Sequence, residues 1–194
     1  MRSKVVPFLR GETPPPELTD EALVAACGVG DRGALAALFR RHHGAIHRFC
    51  ARMLGDDPDD VVQSTFLVAW EDAARFRGQS SVRAWLLGIA ANRARRELRN
   101  RGNERRAVES IRARPLALAP DPREQAERRQ LVARVAAGIA ALPPELRETF
   151  LLCTIEGIPG PEAARILDVR PGTLWRRLHD ARKRLLPLLD GDEP

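Results

Sequence analysis

The sequence predicts an all-α chain: two small helical domains joined by a flexible linker. Three observations predict it. Apolar residues recur at three- and four-residue spacing, and no segment reads convincingly as a strand. Helix starts and stops punctuate these segments, with Thr, Asp or Ser before them and Gly after. Between residues 100 and 122 the periodicity disappears, and Gly102, Pro115, Pro120 and Pro122 take its place. Such a stretch is long enough for two domains to move apart. The domains are therefore expected at 19–100 and 128–188, with a linker at 101–127, an N-terminal tail at 1–18 and an acidic tail at 189–194.

Residues 1–18 contain Pro7 and Pro14-Pro15-Pro16 and read as an extended tail. Thr19 or Asp20 can cap a helix carrying Leu23, Val24 and Cys27. Gly28-Val29-Gly30 breaks it, and Asp31 caps the next, whose Leu35, Leu38, Phe39, Ile46, Phe49, Cys50 and Met53 mark a buried face ending at Gly55. In Asp57-Pro58-Asp59-Asp60, Asp57 is the expected N-cap and Pro58 the first helical residue, with two carboxylates where the helix dipole favours them. Val62, Phe66, Ala69 and Ala73 form the inward stripe there. Leu67, among the polar Asp60, Gln63 and Glu71, suggests a surface that meets a partner. After the loop Arg77-Gly78-Gln79-Ser80-Ser81, a serine can cap a helix whose face holds Val82, Trp85, Leu86 and Ile89, then Arg93 and Arg96. This helix starts in a core and ends as a basic rod. In the second domain, Leu131, Val135, Ile139 and Leu142 mark one helix and Leu146, Phe150 and Cys153 the next. A short helix at Glu162–Leu167, a turn at Asp168-Val169-Arg170 and a long helix at Pro171–Leu186 follow, the last burying Leu174, Leu178, Ala181 and Leu185.

The chain has 194 residues, 44% of them hydrophobic, enough to build cores. Its net charge is +6 with only two lysines, Lys4 and Lys183, so the positive charge is nearly all arginine. Arginine suits phosphates and guanine edges, although a GC-rich genome also favours its codons. Cys27, Cys50 and Cys153 are odd in number and far apart, which argues for a reducing cytosol and against a disulfide framework. No signal-peptide core and no apolar run of membrane-spanning length is present, so a cytoplasmic protein without membrane insertion is expected.

Residues 161–186 have the pattern of a helix-turn-helix. Ala164 is small where the helices cross, Asp168 tolerates a left-handed turn, Leu174 anchors the second helix, and Arg176, His179 and Lys183 face outwards. The plainer alternative is a helical hairpin with a solvated charged face. The arginines from 93 to 106 suit phosphate, or simply a solvated helix end. Gln79, Ser80 and Ser81 beside Trp85 could accept an unstacked base, or form an ordinary capped loop. His43, His47 and Cys50 have zinc-like spacing but lack an obvious fourth ligand, so they read as surface histidines and a structural cysteine. Phe39, Phe49, Phe66 and Phe150 read as core. No phosphate-cradling loop, catalytic triad or cofactor motif is found, and an enzyme is not expected.

Asp57-Pro58-Asp59-Asp60-Val61-Val62-Gln63-Ser64-Thr65-Phe66-Leu67-Val68-Ala69-Trp70 resembles region two of bacterial RNA polymerase sigma factors of the extracytoplasmic-function type, usually D-x-E-D-L-V-Q-E-x-F-L-x-A-W. Phe76-Arg77-Gly78-Gln79-Ser80-Ser81-Val82-Arg83-Ala84-Trp85-Leu86 resembles that family's F-R-G-x-S-S-F-R-T-W-L. Leu142-Pro143-Pro144-Glu145-Leu146-Arg147-Glu148-Thr149-Phe150-Leu151-Leu152 and Gly172-Thr173-Leu174 resemble its region four. Both segments, roughly 20–100 and 128–188, occur in the family's order, which is more specific than either alone.

The resemblance implies a protein that binds core RNA polymerase and directs promoter recognition, melting and initiation. A helix-turn-helix regulator without sigma activity is the alternative. Asp59, Asp60, Gln63 and Leu67 would dock on the beta-prime clamp helices, and region four would meet the beta flap. Arg77, Gln79, Ser80, Ser81, Arg83, Asn92, Arg93, Arg96 and Arg99 would bind the opened minus-ten strand. Arg170, Thr173, Trp175, Arg176, Arg177, His179 and Lys183 would read the minus-thirty-five duplex. An anti-sigma partner is expected, and neither a cofactor nor a metal. The chain departs from the family at Pro159-Gly160-Pro161-Glu162 (usually S-Y-E-E), at Asp168 (usually glycine) and at Trp175 (usually lysine or arginine).

Overall fold

The computed structural model describes residues 18–55, 57–105 and 124–190, with side chains described except at 102–105, 124–129 and 189–190. Most of the predicted N-terminal tail, the linker from 106 to 123, the tail from 191 and Asp56 lie outside the described residues. Among the described residues every regular element is helical.

Helix α1 (Asp20–Gly28) is capped by Thr19, whose Oγ1 accepts the Ala22 N–H at 3.2 Å. Asp20 instead ties α1 to α2 (Arg32–Leu54). It accepts from Arg41 at 2.5 Å and lies 2.8 Å from Nε2 of the buried His42. Asp31 caps α2 through the Gly33 and Ala34 N–H groups, and Gly55 ends it with φ 81°. Helix α3 spans Asp59–Asp72 and begins one residue later than predicted, although Asp57 still accepts the Asp59 N–H at 3.1 Å. Its stripe of Val62, Phe66, Ala69 and Ala73 is buried as expected. A 3₁₀ turn, Ala73–Arg75, leads to the polar loop, and Ser81 caps α4 (Val82–Arg105) by accepting the Ala84 N–H at 3.2 Å.

Helix α4 stays in the core longer than predicted. Ala90, Ala91 and Ala94 are completely buried, and the helix passes the expected domain end at residue 100. The alanines explain this: small side chains let α2 and α3 approach one flank and the C-terminal domain another. A 2.8 Å Glu97–Arg101 pair, four residues apart, supports the extra turn.

The C-terminal domain comprises α5 (Glu124–Ala141), α6 (Pro144–Phe150), α7 (Gly160–Ile166) and α8 (Pro171–Asp190). Three expectations are corrected here. Leu131 is exposed, so the α5 stripe is buried only at Ile139 and Leu142. Phe39, expected in the core of the first domain, is 40% exposed and rests against Phe66 with ring centroids 4.8 Å apart. After α6 the chain makes a π-type turn, Leu151–Ile155. Leu146, Phe150 and Cys153 are only half-buried, while Glu148, Thr149, Leu151 and Leu152 are inside. The wider turn resets the face that a regular helical period assigns to Cys153, which lies within it. The turn before α8 is as predicted, with Asp168 at φ 52° and Ala164 and Leu174 buried at the crossing. Helix α8 passes its expected end through Pro187, and Arg134 donates to the Leu188 carbonyl at 2.7 Å.

Candidate nucleic-acid interface

The loop before α4 forms a recess of about 190 Å³ lined by Arg75, Phe76, Arg77, Gln79, Ser80 and Trp85. Phe76 and Trp85 form its aromatic part, with centroids 4.8 Å apart and planes at 40°. Arg77 and Gln79 are exposed at its rim, and Ser80 is half-buried. Gly78, at φ 66°, makes the bend that brings rim and aromatics together. Hydrogen-bonding groups beside stacked aromatics can hold an unstacked base. Sequence reasoning missed Arg75 and the wall formed by Phe76; the nine-residue separation of Phe76 and Trp85 gave no periodic signal, because a loop lies between them. Beyond the recess, Asn92, Arg96 and Arg99 are exposed along α4 and Arg93 is half-exposed.

On α3, Asp59, Asp60, Gln63 and Leu67 are all exposed, Leu67 at 54%. Three- and four-residue spacing puts Asp60, Gln63 and Leu67 on one face. His47 Nε2 lies 3.6 Å from Asp59, and His43 stacks on Phe39 at 4.6 Å. Cys50 is fully buried, and burial pushes its thiol up to about 12, so it sits apart from these histidines as a core residue.

On α8, Arg176, His179 and Lys183 are exposed, as is Arg170 in the preceding turn, and Thr173 is half-buried. Trp175 is 53% exposed, and its ring lies so close to Gly160 that a Cβ there would approach it to 2.6 Å. The departure at 160 thus makes room for the departure at 175. Arg177 turns inwards, with Nη1 3.5 Å from Glu148.

The two domains also touch. Arg147 donates to the Met53 carbonyl at the end of α2 at 2.6 Å. Glu156 pairs with Arg83 and lies 3.8 Å from Arg52. Glu148, fully buried, has Arg95 at 3.1 Å. Glu162 accepts the Ser81 N–H at 3.2 Å, and Arg165 donates to the Gln79 carbonyl at 2.8 Å. None of these pairings has a sequence signal, since each joins residues more than fifty positions apart.

The sequence profile of Sigma-70 region 2 matches residues 38–104, and that of Sigma-70 region 4 matches residues 133–185. The RNA polymerase sigma factor CnrH of Cupriavidus metallidurans is 34% identical over 187 residues, covering 91% of this chain and 97% of its own. The chain belongs to the extracytoplasmic-function sigma factors. The sigma factor SigM of Mycobacterium tuberculosis H37Rv is 34% identical over 179 residues, covering 89% of this chain and 86% of its own. Among solved structures, CnrH bound to the cytosolic domain of CnrY matches with a TM-score of 0.64 at 30% identity, over 90% of this chain and 99% of that one. The sigma factor RpoE of Bartonella quintana, solved with the anti-sigma factor NepR, matches with a TM-score of 0.64 at 25% identity, over 81% of this chain and 98% of that one. This sigma factor directs transcription initiation, its two sigma domains binding core polymerase and promoter DNA. A helix-turn-helix regulator acting without sigma activity leaves the region 2 match unexplained. Among the described residues no helix is long and apolar enough to cross a membrane.

Proposed function

We propose a division of labour among the surfaces of this sigma factor. The exposed α3 face of Asp59, Asp60, Gln63 and Leu67 docks on the beta-prime clamp helices of core polymerase, and the C-terminal domain meets the beta flap. The recess at Arg77, Gln79, Ser80 and Ser81 captures a base of the minus-ten element. Arg83, Asn92, Arg93, Arg96 and Arg99 follow the opened strand. Arg170, Thr173, Trp175, Arg176, His179 and Lys183 contact the minus-thirty-five duplex, and Arg177 joins them when released from Glu148. The observation that supports this reading best is the recess itself, with its aromatic pair and polar rim at the start of a basic helix.

No covalent chemistry is assigned to the chain. Melting follows from contacts that exist only with the single strand: stacking, base capture and phosphate pairing. The protein acts in the cytoplasm, and an anti-sigma partner controls it. The complexes of similar sigma factors with CnrY and NepR support that last point. The test is reconstitution with core polymerase, followed by run-off transcription from promoters mapped after overexpression. Holoenzyme formation with promoter-specific transcripts is expected; a chain that forms no holoenzyme overturns the reading.

A further inference from the structure

We propose, on the reading that α8 meets the minus-thirty-five duplex, that Trp175 is a thymine reader: its indole covers the C5-methyl group while Nε1–H donates to the adjacent O4. Trp175 lies near the N-terminus of α8, the part of a recognition helix that reaches base edges. Three- and four-residue spacing puts Gly172, Trp175, Arg176 and His179 on one face. Arg176 and His179 are exposed there, and nothing lies within 4 Å of where a Cβ would stand on Gly172. A base edge can therefore come close beside the Trp175 ring. The ring itself is 53% exposed on this otherwise polar face. Its covered side is the six-membered ring: a Cβ on Gly160 would meet Cζ2 at 2.6 Å and Cη2 at 2.8 Å. Gly160 sits between Pro159 and Pro161, whose own rings fix the backbone φ on either side of it. The indole thus leans on a stiff segment, and its free surface is held in place before DNA arrives, so little rotamer freedom is lost on binding.

Among the described residues no acceptor meets the Trp175 Nε1–H. What Trp175 offers is an apolar ring surface with one donor at its edge. In the major groove only thymine sets a methyl group beside an acceptor. Guanine offers two acceptors and no methyl, adenine an acceptor and a donor, and cytosine a donor alone. A phosphate is the poorer match, because the indole carries no charge and the exposed Arg176 and Lys183 on the same helix serve phosphates better. Shape, donor placement and the lack of charge therefore select the same base.

The test uses holoenzyme on a promoter mapped for this sigma factor, in competition against duplexes altered one base at a time. Each thymine of the minus-thirty-five element is replaced in turn by deoxyuridine, which loses only the methyl. It is also replaced by 5-methyldeoxycytidine paired with guanine, which keeps the methyl and turns the acceptor into a donor. At one thymine, deoxyuridine is expected to weaken binding about fourfold, the worth of one buried methyl, and 5-methyldeoxycytidine to weaken it too. Trp175→Ala should abolish the deoxyuridine effect at that position alone. Trp175→Phe leaves an aromatic ring over Gly160 and keeps the fold even where the alanine variant loosens it. It should retain the deoxyuridine effect and lose much of the discrimination against 5-methyldeoxycytidine. Deoxyuridine binding as well as thymine at every position, or Trp175 variants weakening all duplexes equally, overturns the thymine reader. Arg176→Ala separates this outcome from failure of the wider reading. If it changes base preference while the Trp175 variants do not, only the thymine reader falls. If the holoenzyme ignores every upstream substitution, the assignment of α8 to the duplex falls as well.

Discussion

Glu148 is completely buried, with two arginines beside it but no hydrogen bond to either carboxylate oxygen. Burial raises its carboxyl to about 7, against the pull of Arg95 and Arg177. A carboxyl raised in the folded state binds more protons there than in the unfolded chain. Its contribution is therefore fully present below the ordinary glutamate range and is lost as pH rises through about 7. Glu148→Gln keeps the shape and removes the titration. Urea unfolding should show the variant about 1–3 kcal/mol more stable than the parent at pH 8 and nearly equal at about pH 4. Parallel pH profiles for the two proteins would contradict the assignment. Nothing in the sequence marks Glu148 as internal, because the π turn after α6 and the docking of α4 jointly enclose it.

At the scale of elements, the α7–turn–α8 unit stores two local compromises. Asp168 holds a left-handed backbone at φ 52°, which glycine adopts more easily. Asp168→Gly should raise stability by about 0.5–1 kcal/mol in denaturant unfolding, and a loss would show that its side chain contributes more than the strain costs. Gly160 lies beneath the Trp175 ring. Gly160→Ala should push the ring aside, moving the Trp175 indole resonance while those of Trp70 and Trp85 stay in place. It should also alter preference at the upstream promoter element; an unmoved indole would mean the backbone yields instead. The caps at Asp31 and Ser81 and the stop at Gly55 were legible from residue type, because capping is local chemistry. The exposure of Leu131 and Phe39 was not legible, because periodicity shows which residues share a face and not whether another element covers it.

At the scale of the whole molecule, the proposed surfaces should fail separately. Asp60→Arg lies at an exposed position on α3 and should leave unfolding stability within about 1 kcal/mol, since it disturbs only the helix dipole. Polymerase affinity, measured by competition for core enzyme, should fall about tenfold or more, because the charge on the proposed docking face is reversed there. Arg176→Ala, exposed on α8, should leave polymerase affinity intact and weaken upstream promoter recognition by about 1–3 kcal/mol if it reads a base edge. Run-off transcription with matched and mutated upstream elements distinguishes the cases. Equal transcription by both variants would remove the assignment of roles.

By itself the sequence determined that the chain is helical, the caps at Asp31 and Ser81, the helix-turn-helix and the family. All of these are written in local spacing and residue type, within one turn or one motif of each other. The tertiary structure alone decided the aromatic wall behind the base recess, the burial of Glu148 and the pairing of Arg83 with Glu156. It also decided that α4 is covered on two sides. Those are contacts between residues far apart in the chain. Their partners are selected by domain docking, a balance of shape and charge between whole surfaces that no local period encodes.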